Sequence, residues 1–473
     1  MLMENKDIIF KLNDLKKELG KSLNPPIIRQ IGDVYGKWVD DKDKRVIIGR
    51  DLRPNGEVIK EILIQGLYNV GCKIIDLDIC PTPVFFYIKN KLDVKGSIII
   101  SDSNKPLNWN KIKLYLGEDH SYHFELEDIN KTFNNIDLKT YNLIQDNQFL
   151  EKINPISTYI ADLSDIFDFK RIQSQNNLRV IVDPGAGVGK FITPKVLENL
   201  GCEVLVINDE LDKYDNYPRE LYPIKANLKD LILALWKGNY DVGFAHDFDA
   251  NKLAVIGDNF QCYSEEIISA LIVYHYLKQK IYSDKTFVFL LNLASSLRFE
   301  VLAEQYNIQV LKTYAQNQFS KERFNKLVSN GKNYFIFGSK GLNGGPIFPY
   351  FNRVKDGIFI TAKLIKLLVE SGEKLSQLIS KLPKFYSFQE KVTFSQKKLD
   401  NIIRKLNEEL TKEGEIVTQI DNNLRFGHEK DWFVLISPSN NSIKVFSEAK
   451  RESLARLYCE TTTELLKLVI LKL

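Results

Sequence analysis

Apolar residues fall into short runs separated by amphipathic stretches, and three segments repeat one order. Arg45 to Gly49 reads as a strand, Glu57 to Val70 as an amphipathic helix, and Lys73 to Leu77 as a strand introduced by Gly71-Cys72. The order returns with Arg179 to Asp183, the helix Pro194 to Leu200, and Glu203 to Ile207 introduced by Gly201-Cys202. It returns again with Lys285 to Leu291, the helix Ser295 to Tyr306, and Gln309 to Leu311. Each is a β-α-β unit, which predicts mixed or parallel sheets with right-handed crossovers. After Pro383 the pattern changes to helix Gln396 to Glu413, strands Trp432 to Ile436 and Ile443 to Ser447, and helix Ser453 to Leu473. The expected fold is α/β: three β-α-β mixed-sheet domains at residues 1–150, 151–275 and 276–382, then an α+β domain at 383–473.

Composition narrows the class. At 473 residues the chain exceeds one hydrophobic core. Hydrophobic residues at 44% and charged residues at 27% are those of a soluble globular protein. The net charge of +4 leaves no basic stripe for nucleic acid. The five scattered cysteines read as buried thiols of a reducing compartment, which predicts a cytoplasmic protein. The start shows no signal or transit peptide, and the apolar tail Leu465 to Leu473 is too short to span a bilayer, so no membrane partner is expected.

Four polar loops carry the candidate chemistry. In the first, the run Gly96 to Ile100 ends in Ser101-Asp102-Ser103-Asn104-Lys105-Pro106, as a parallel strand does when it delivers a side chain at its carboxyl end; an ordinary strand-to-loop corner fits equally. In the second, His246 to Lys252, Asp247, Asp249 and Asn251 alternate, so their oxygens could converge on a hard cation such as magnesium; an acidic β-turn is the alternative. His246 is expected to pack rather than ligate. The third, Gly338 to Gly345, lets a ligand approach the backbone or simply connects two strands. The fourth, Ser437 to Ser442 before Lys444, offers hydroxyls and amides to an anion, or is a hairpin turn. Gly185 to Lys190 lacks the Walker spacing and reads as a tight strand-to-helix turn.

These loops, in this order, and the segments Gly49-Arg50-Asp51-Leu52-Arg53-Pro54, Pro81-Thr82-Pro83, Val182-Asp183-Pro184-Gly185 and Asp356-Gly357-Ile358 resemble the α-D-phosphohexomutases along essentially the whole chain. That family comprises phosphomannomutase, phosphoglucomutase and phosphoglucosamine mutase. The resemblance implies four domains forming a heart-shaped molecule around one cleft, a phosphosugar as partner, and Mg2+ as cofactor. It implies Ser103 as the phosphoserine, with Asn104, Lys105, Arg50 and Lys16 as catalytic neighbours. Asp247, Asp249, Asn251 and Ser103 would hold the metal. Lys252, Lys340, Gly341, Asn343, Ser437, Ser439 and Lys444 would hold the substrate.

Several positions depart from the family pattern. The first loop usually reads Thr-Ala-Ser-His-Asn-Pro; here the histidine is lost and Asp102 adds an anion. Asn251 replaces a third aspartate and Lys252 an arginine, which lowers the charge offered to a cation and removes a bidentate phosphate fork. Lys340 stands where a glutamate accepts sugar hydroxyls, and Ser437 where an arginine grips the distal phosphate, in a shortened turn. Phosphoryl transfer is accelerated by positioning and charge stabilisation, and one lost preorganised donor costs about 3 kcal/mol. The pattern therefore predicts a divergent phosphohexomutase-like protein, weak or inactive as a mutase, that binds a phosphosugar or a protein partner. The alternative is a working mutase that interconverts hexose 1- and 6-phosphates, with lysines in place of the usual contacts.

Overall fold

The computed structural model describes residues 24–40, 42–102, 107, 109–117, 122–129, 150–214, 216–279, 285–313, 334–339, 341, 345–394, 399–420, 422–428, 430–439 and 442–473. The described residues gather into two compact units, one of those within 24–265 and 347–376, the other of those within 266–313, 334–346 and 377–473.

In the first unit, α1 (Pro25–Gly36) precedes β1 (Arg45–Arg50), α2 (Gly56–Asn69), β2 (Lys73–Ile79), α3 (Thr82–Lys91), β3 (Gly96–Ile100), β4 (Trp109–Leu116), β5 (Tyr122–Ile129) and β6 (Leu150–Lys152). These strands form a sheet of order β5-β4-β3-β1-β2-β6. β1 pairs in parallel with β2 and β3, and β4 turns back antiparallel on β3, so the sheet is mixed. Ile47, Ile48, Ile98 and Ile99 are wholly buried, as expected of strands covered on both faces.

A second sheet follows α4 (Pro155–Phe167) and α5 (Phe169–Gln173). It uses β7 (Arg179–Asp183), α6 (Thr193–Asn199), β8 (Glu203–Val206), α7 (Lys229–Gly238), β9 (Val242–His246), β10 (Leu253–Ile256) and β11 (Cys262–Ser264), in the order β11-β10-β9-β7-β8.

The chain then passes through α8 (Glu265–Gln279) into a sheet of β12 (Thr286–Asn292), β13 (Gln309–Thr313), β14 (Tyr334–Ser339) and β15 (Pro346–Ile347), with α9 (Leu297–Gln305) between the first two strands. Phe289, Phe299 and Phe337 pack there, with ring centroids 5.0 to 6.1 Å apart. Helix α10 (Gly357–Ser371) belongs to the first unit and buries eleven of its residues, so it is apolar nearly all round. α11 (Leu375–Ile379) follows it.

The C-terminal domain holds β16 (Tyr386–Thr393), α12 (Leu399–Lys412), β17 (Thr418–Ile420), β18 (Asn423–His428), β19 (Trp432–Ser439), β20 (Ser442–Ala449) and α13 (Glu452–Leu471). Its antiparallel sheet runs β16-β20-β19-β18-β17. Leu406, Leu410 and Leu466 of the two helices enter its core with Val434 and Ile436 of β19.

The α/β architecture read from the sequence is thus present: three β-α-β units in mixed or parallel sheets, then an α+β domain. Strands β16 to β18 were absent from that reading. β16 is a sheet-edge strand with no buried residue, and its serine, glutamine, glutamate and lysine hide the alternation.

One contact in the first unit depends on having no side chain. Gly66 on α2 meets α1 so closely that a Cβ there would lie 2.1 Å from the Arg29 carbonyl oxygen and 2.8 Å from the Asp33 nitrogen. Helix propensity alone favours alanine over glycine by about 1 kcal/mol. The clash is with backbone and cannot relax cheaply, so we expect Gly66→Ala to lower stability by about 2 kcal/mol or more. A rise in thermal unfolding temperature would show that the helices separate without cost.

Candidate functional site

The loop Asp247 to Lys252 joins β9 to β10, which pair antiparallel from Leu253 opposite His246. Asp247 fixes the loop's shape: one carboxylate oxygen accepts the amides of Asn251 and Lys252 at 2.8 Å each. Its other oxygen, Oδ2, accepts no hydrogen bond, and neither does Asp249 Oδ1 nor Asn251 Oδ1, although all three atoms are buried. Asp247 and Asp249 are each only 1% exposed. Carboxylates held from water without partners are costly. Burial first and the Asp249 charge second push the Asp247 carboxyl up to about 8. Lys252 Nζ stands 3.8 Å from Asp247 Oδ2 and 4.1 Å over the Tyr222 ring.

Among the described residues no group of three His, Cys, Asp or Glu side chains is placed to hold a metal ion. Here the third donor is an amide. Two carboxylate oxygens and one amide oxygen, buried without a hydrogen bond in a single loop, are the donor chemistry of a hard divalent cation, so the residues present fit magnesium.

The surroundings hold this loop rigidly. Arg219 donates to the His246 carbonyl at 2.6 Å, to the Asp183 carbonyl at 3.2 Å and to the Asp183 carboxylate at 2.9 Å. The Val188 amide donates to the Phe248 carbonyl at 2.9 Å. A Cβ at Gly187 would lie 2.3 Å from that same oxygen, so the turn read as Gly185 to Lys190 serves as the loop's floor. The His246 ring reaches Thr193 Oγ1 and the Lys252 carbonyl, both at 3.2 Å, and burial lowers its pKa to about 4. It therefore packs as a neutral ring, with both nitrogens engaged inside the protein.

The stem of the serine loop is pinned from β1. The Asp51 amide donates to the Ile100 carbonyl at 3.0 Å, and the Asp51 carboxylate accepts the Asp102 amide at 3.2 Å. Arg53, 2% exposed, pairs with Asp51 at 3.2 Å and donates to the Asp102 carbonyl. Its guanidinium carbon lies 5.1 Å from the ring centroid of Phe248 in the cation-type loop. The Asp102 charge, foreign to the family pattern, faces Lys111 at 3.5 Å. Arg50 is paired with Asp78 at 2.9 Å and with Glu57 at 3.6 Å. Ser103, Asn104 and Lys105 lie outside the described residues, as do Lys16, Lys340 and Asn343.

In the second unit, Gly341 has φ +71°, which favours glycine, and its amide donates to Ser339 Oγ at 3.0 Å. Ser339 donates to Glu266 at 2.6 Å, and Glu266 also accepts the Ser296 amide at 3.0 Å. Ser437 to Ser442, read as a loop, is mostly strand: β19 and β20 pair down to Ser439 opposite Ser442. Ser437 and Lys444 are direct cross-strand partners, and the Ser437 hydroxyl donates to Asn423 at 2.7 Å.

Residues 7–140, 157–259 and 265–386 match phosphoglucomutase/phosphomannomutase alpha/beta/alpha domains I, II and III in turn. The chain belongs to the phosphoglucomutase/phosphomannomutase family. A phosphoglucomutase/phosphomannomutase of Thermococcus kodakarensis is 30% identical over 458 residues, covering 94% of this chain and 96% of that protein. A phosphoglucosamine/phosphogalactosamine mutase of Sulfurisphaera tokodaii is 26% identical over 94% of this chain and 96% of its own length. The fold is shared with a family member of Burkholderia thailandensis (TM-score 0.73, 21% identity, 95% of each chain). It is shared more distantly with Aspergillus fumigatus N-acetylphosphoglucosamine mutase in complex with GlcNAc-6P and magnesium (TM-score 0.54, 12% identity, 90% of this chain and 77% of that one). In the terms of this mutase family, the first unit carries domains I and II with the cation-type loop. Arg219 escaped the sequence reading, and the turn holding Gly187 was read without its contact to Phe248, because each acts on a loop tens of residues away.

Glu266 gives a pH test. Burial is the main cause that pushes its carboxyl up to about 8, with the Glu448 charge adding to it. The folded form keeps a proton that the unfolded chain releases near the ordinary glutamate value, so the associated stability is full below about 4.5 and is lost as pH rises toward 8. Glu266→Gln should flatten the fall in unfolding free energy between pH 5 and 8. An unchanged slope would mean that Glu266 is ionised in the fold.

Proposed function

We propose that this protein is a hexose-phosphate mutase that moves a phosphoryl group between Ser103 and the 1- and 6-oxygens of a phosphosugar. The observation that carries the reading is the set of buried oxygens on Asp247, Asp249 and Asn251 that accept no hydrogen bond, in a loop linked through Phe248 and Arg53 to the stem that ends at Asp102. Relatives matched over nearly their whole length and named phosphoglucomutase, phosphomannomutase and phosphoglucosamine mutase support it.

Asp247, Asp249 and Asn251 would hold the magnesium ion, whose charge offsets that of the transferring phosphoryl oxygens. Lys252, beside Asp247 and lying over Tyr222, places a cation where substrate phosphate would approach the loop. Arg53 and Asp51 fix the backbone as far as Asp102, the residue before the proposed nucleophile. Gly341 and Lys340 would meet the sugar. Ser437, Ser439 and Lys444 would meet the far phosphate.

One observation favours a second reading, a phosphosugar-binding protein with little turnover. The Ser437 hydroxyl is already committed to Asn423, and the adjacent Lys444 offers a point charge where a guanidinium would make a bidentate grip.

Assay of glucose, mannose and glucosamine 1-phosphates with magnesium and a catalytic amount of the matching bisphosphate separates the two. Turnover near the usual ten or so per second supports the mutase, and a rate at least about a hundredfold lower, roughly 3 kcal/mol of barrier, supports the second reading. Intact mass should show one phosphate, mapped to Ser103. Asn251→Asp should tighten magnesium binding by roughly tenfold in titration calorimetry, since affinity follows ligand charge. No change would remove Asn251 from the ligand set.

A further inference from the structure

We infer that Thr82, on the domain I turn Pro81-Thr82-Pro83, is the positioning residue for the metal ligand Asp249. The inference rests on the proposed metal site and adds a residue that the site's own loop does not contain. Thr82 Oγ1 donates to Asp249 Oδ2 at 2.9 Å across 167 positions of sequence, and the two residues are 7% and 1% exposed. That bond occupies one of the two Asp249 oxygens and leaves the other, Oδ1, buried without a hydrogen bond. A carboxylate with one oxygen tied to a fixed donor cannot swing. Its other oxygen is thereby held in place in the loop that also carries the buried Asp247 Oδ2 and Asn251 Oδ1.

The donor is itself immobilised. Thr82 opens α3 between two prolines, and the Phe85 amide donates to the Pro81 carbonyl at 2.9 Å. Asn352, 2% exposed, donates to the Pro83 carbonyl at 2.9 Å and to the Asp356 carboxylate at 2.9 Å, and Tyr159 donates to that carboxylate at 2.8 Å. The turn is therefore held by the first turn of its own helix and by Asn352, which Asp356 accepts and Tyr159 backs in turn. Groups that orient a metal ligand in this way typically govern affinity by 10- to 100-fold. A consequence is that metal affinity in domain II is set partly by domain I. Because such coupling is reciprocal, bound metal should in turn steady the first turn of α3.

Magnesium titration of the full chain tests this. Thr82→Val keeps the shape and removes the hydroxyl, and it should weaken Mg2+ binding by roughly 10- to 100-fold, with Thr82→Ser returning to within about threefold of the parent. A hydroxyl that merely satisfies a buried carboxylate would instead lower the melting temperature and leave affinity unchanged; that result overturns the inference. Should Thr82→Val not fold, hydrogen exchange on the unmodified protein decides. Mg2+ should slow exchange in the first turn of α3, and indifference there overturns the proposal. Asp247→Asn and Asp249→Asn separate the two levels of argument. If they bind Mg2+ as the parent does, or if the parent binds none, the metal site itself fails and the role of Thr82 falls with it. If they lose binding while Thr82→Val keeps it, the metal site stands and only the positioning role is overturned.

Discussion

Two carboxylates held out of water in one six-residue loop are the constraint around which the first unit is arranged. Asp247 and Asp249 repel each other and have no hydrogen-bond donor for one oxygen each. A chain left to itself would turn such a loop outward. It stays in because its backbone is gripped from several directions: Arg219 on the His246 carbonyl, Val188 on the Phe248 carbonyl, and Asp247 itself on two amides. The energy that keeps the carboxylates exposed to one another comes from packing and hydrogen bonds that face away from them, which is how strained functional groups are maintained in general.

The same device recurs at other loops. A buried acid accepts backbone amides at a turn and so fixes the path of the chain beyond it: Asp51 for the Asp102 stem, Asp183 for the Gly185 turn, Glu266 for the start of α9, and Asp356 at the head of α10. Two of these acids are also paired with a buried arginine, Asp51 with Arg53 and Asp183 with Arg219. Breaking such a pair leaves a lone buried charge, a loss of about 3–5 kcal/mol, which makes these residues stiff supports for the loops they serve.

How far the sequence revealed this depended on the range of the interaction. Strands β1, β7 and β12 were legible because continuous runs such as Arg45 to Arg50 bury nearly every residue and so appear as unbroken apolar blocks. The edge strand β16 and the short β17 were not, since polar side chains facing solvent erase the contrast. The donors Asp247, Asp249 and Asn251 were legible because their alternation lies within five residues. Their supports were not: Arg219 acts from 27 residues away and Thr82 from 167, distances at which no local pattern links donor to acceptor. The end of β19 was misjudged for a related reason. Serine, proline and asparagine favour turns, yet pairing with β20 carries the strand as far as Ser439.

Gly187 brings a different consequence into view. It has no functional group, yet the cation-type loop lies against its α-carbon so closely that the shape of that loop is in part a cast of this one position. Any side chain there would displace the Phe248 carbonyl and, through it, the spacing of the two carboxylates on either side. The identity of a chemically silent residue, set in a turn sixty positions upstream, thus specifies the geometry of the charged groups as firmly as their own identities do.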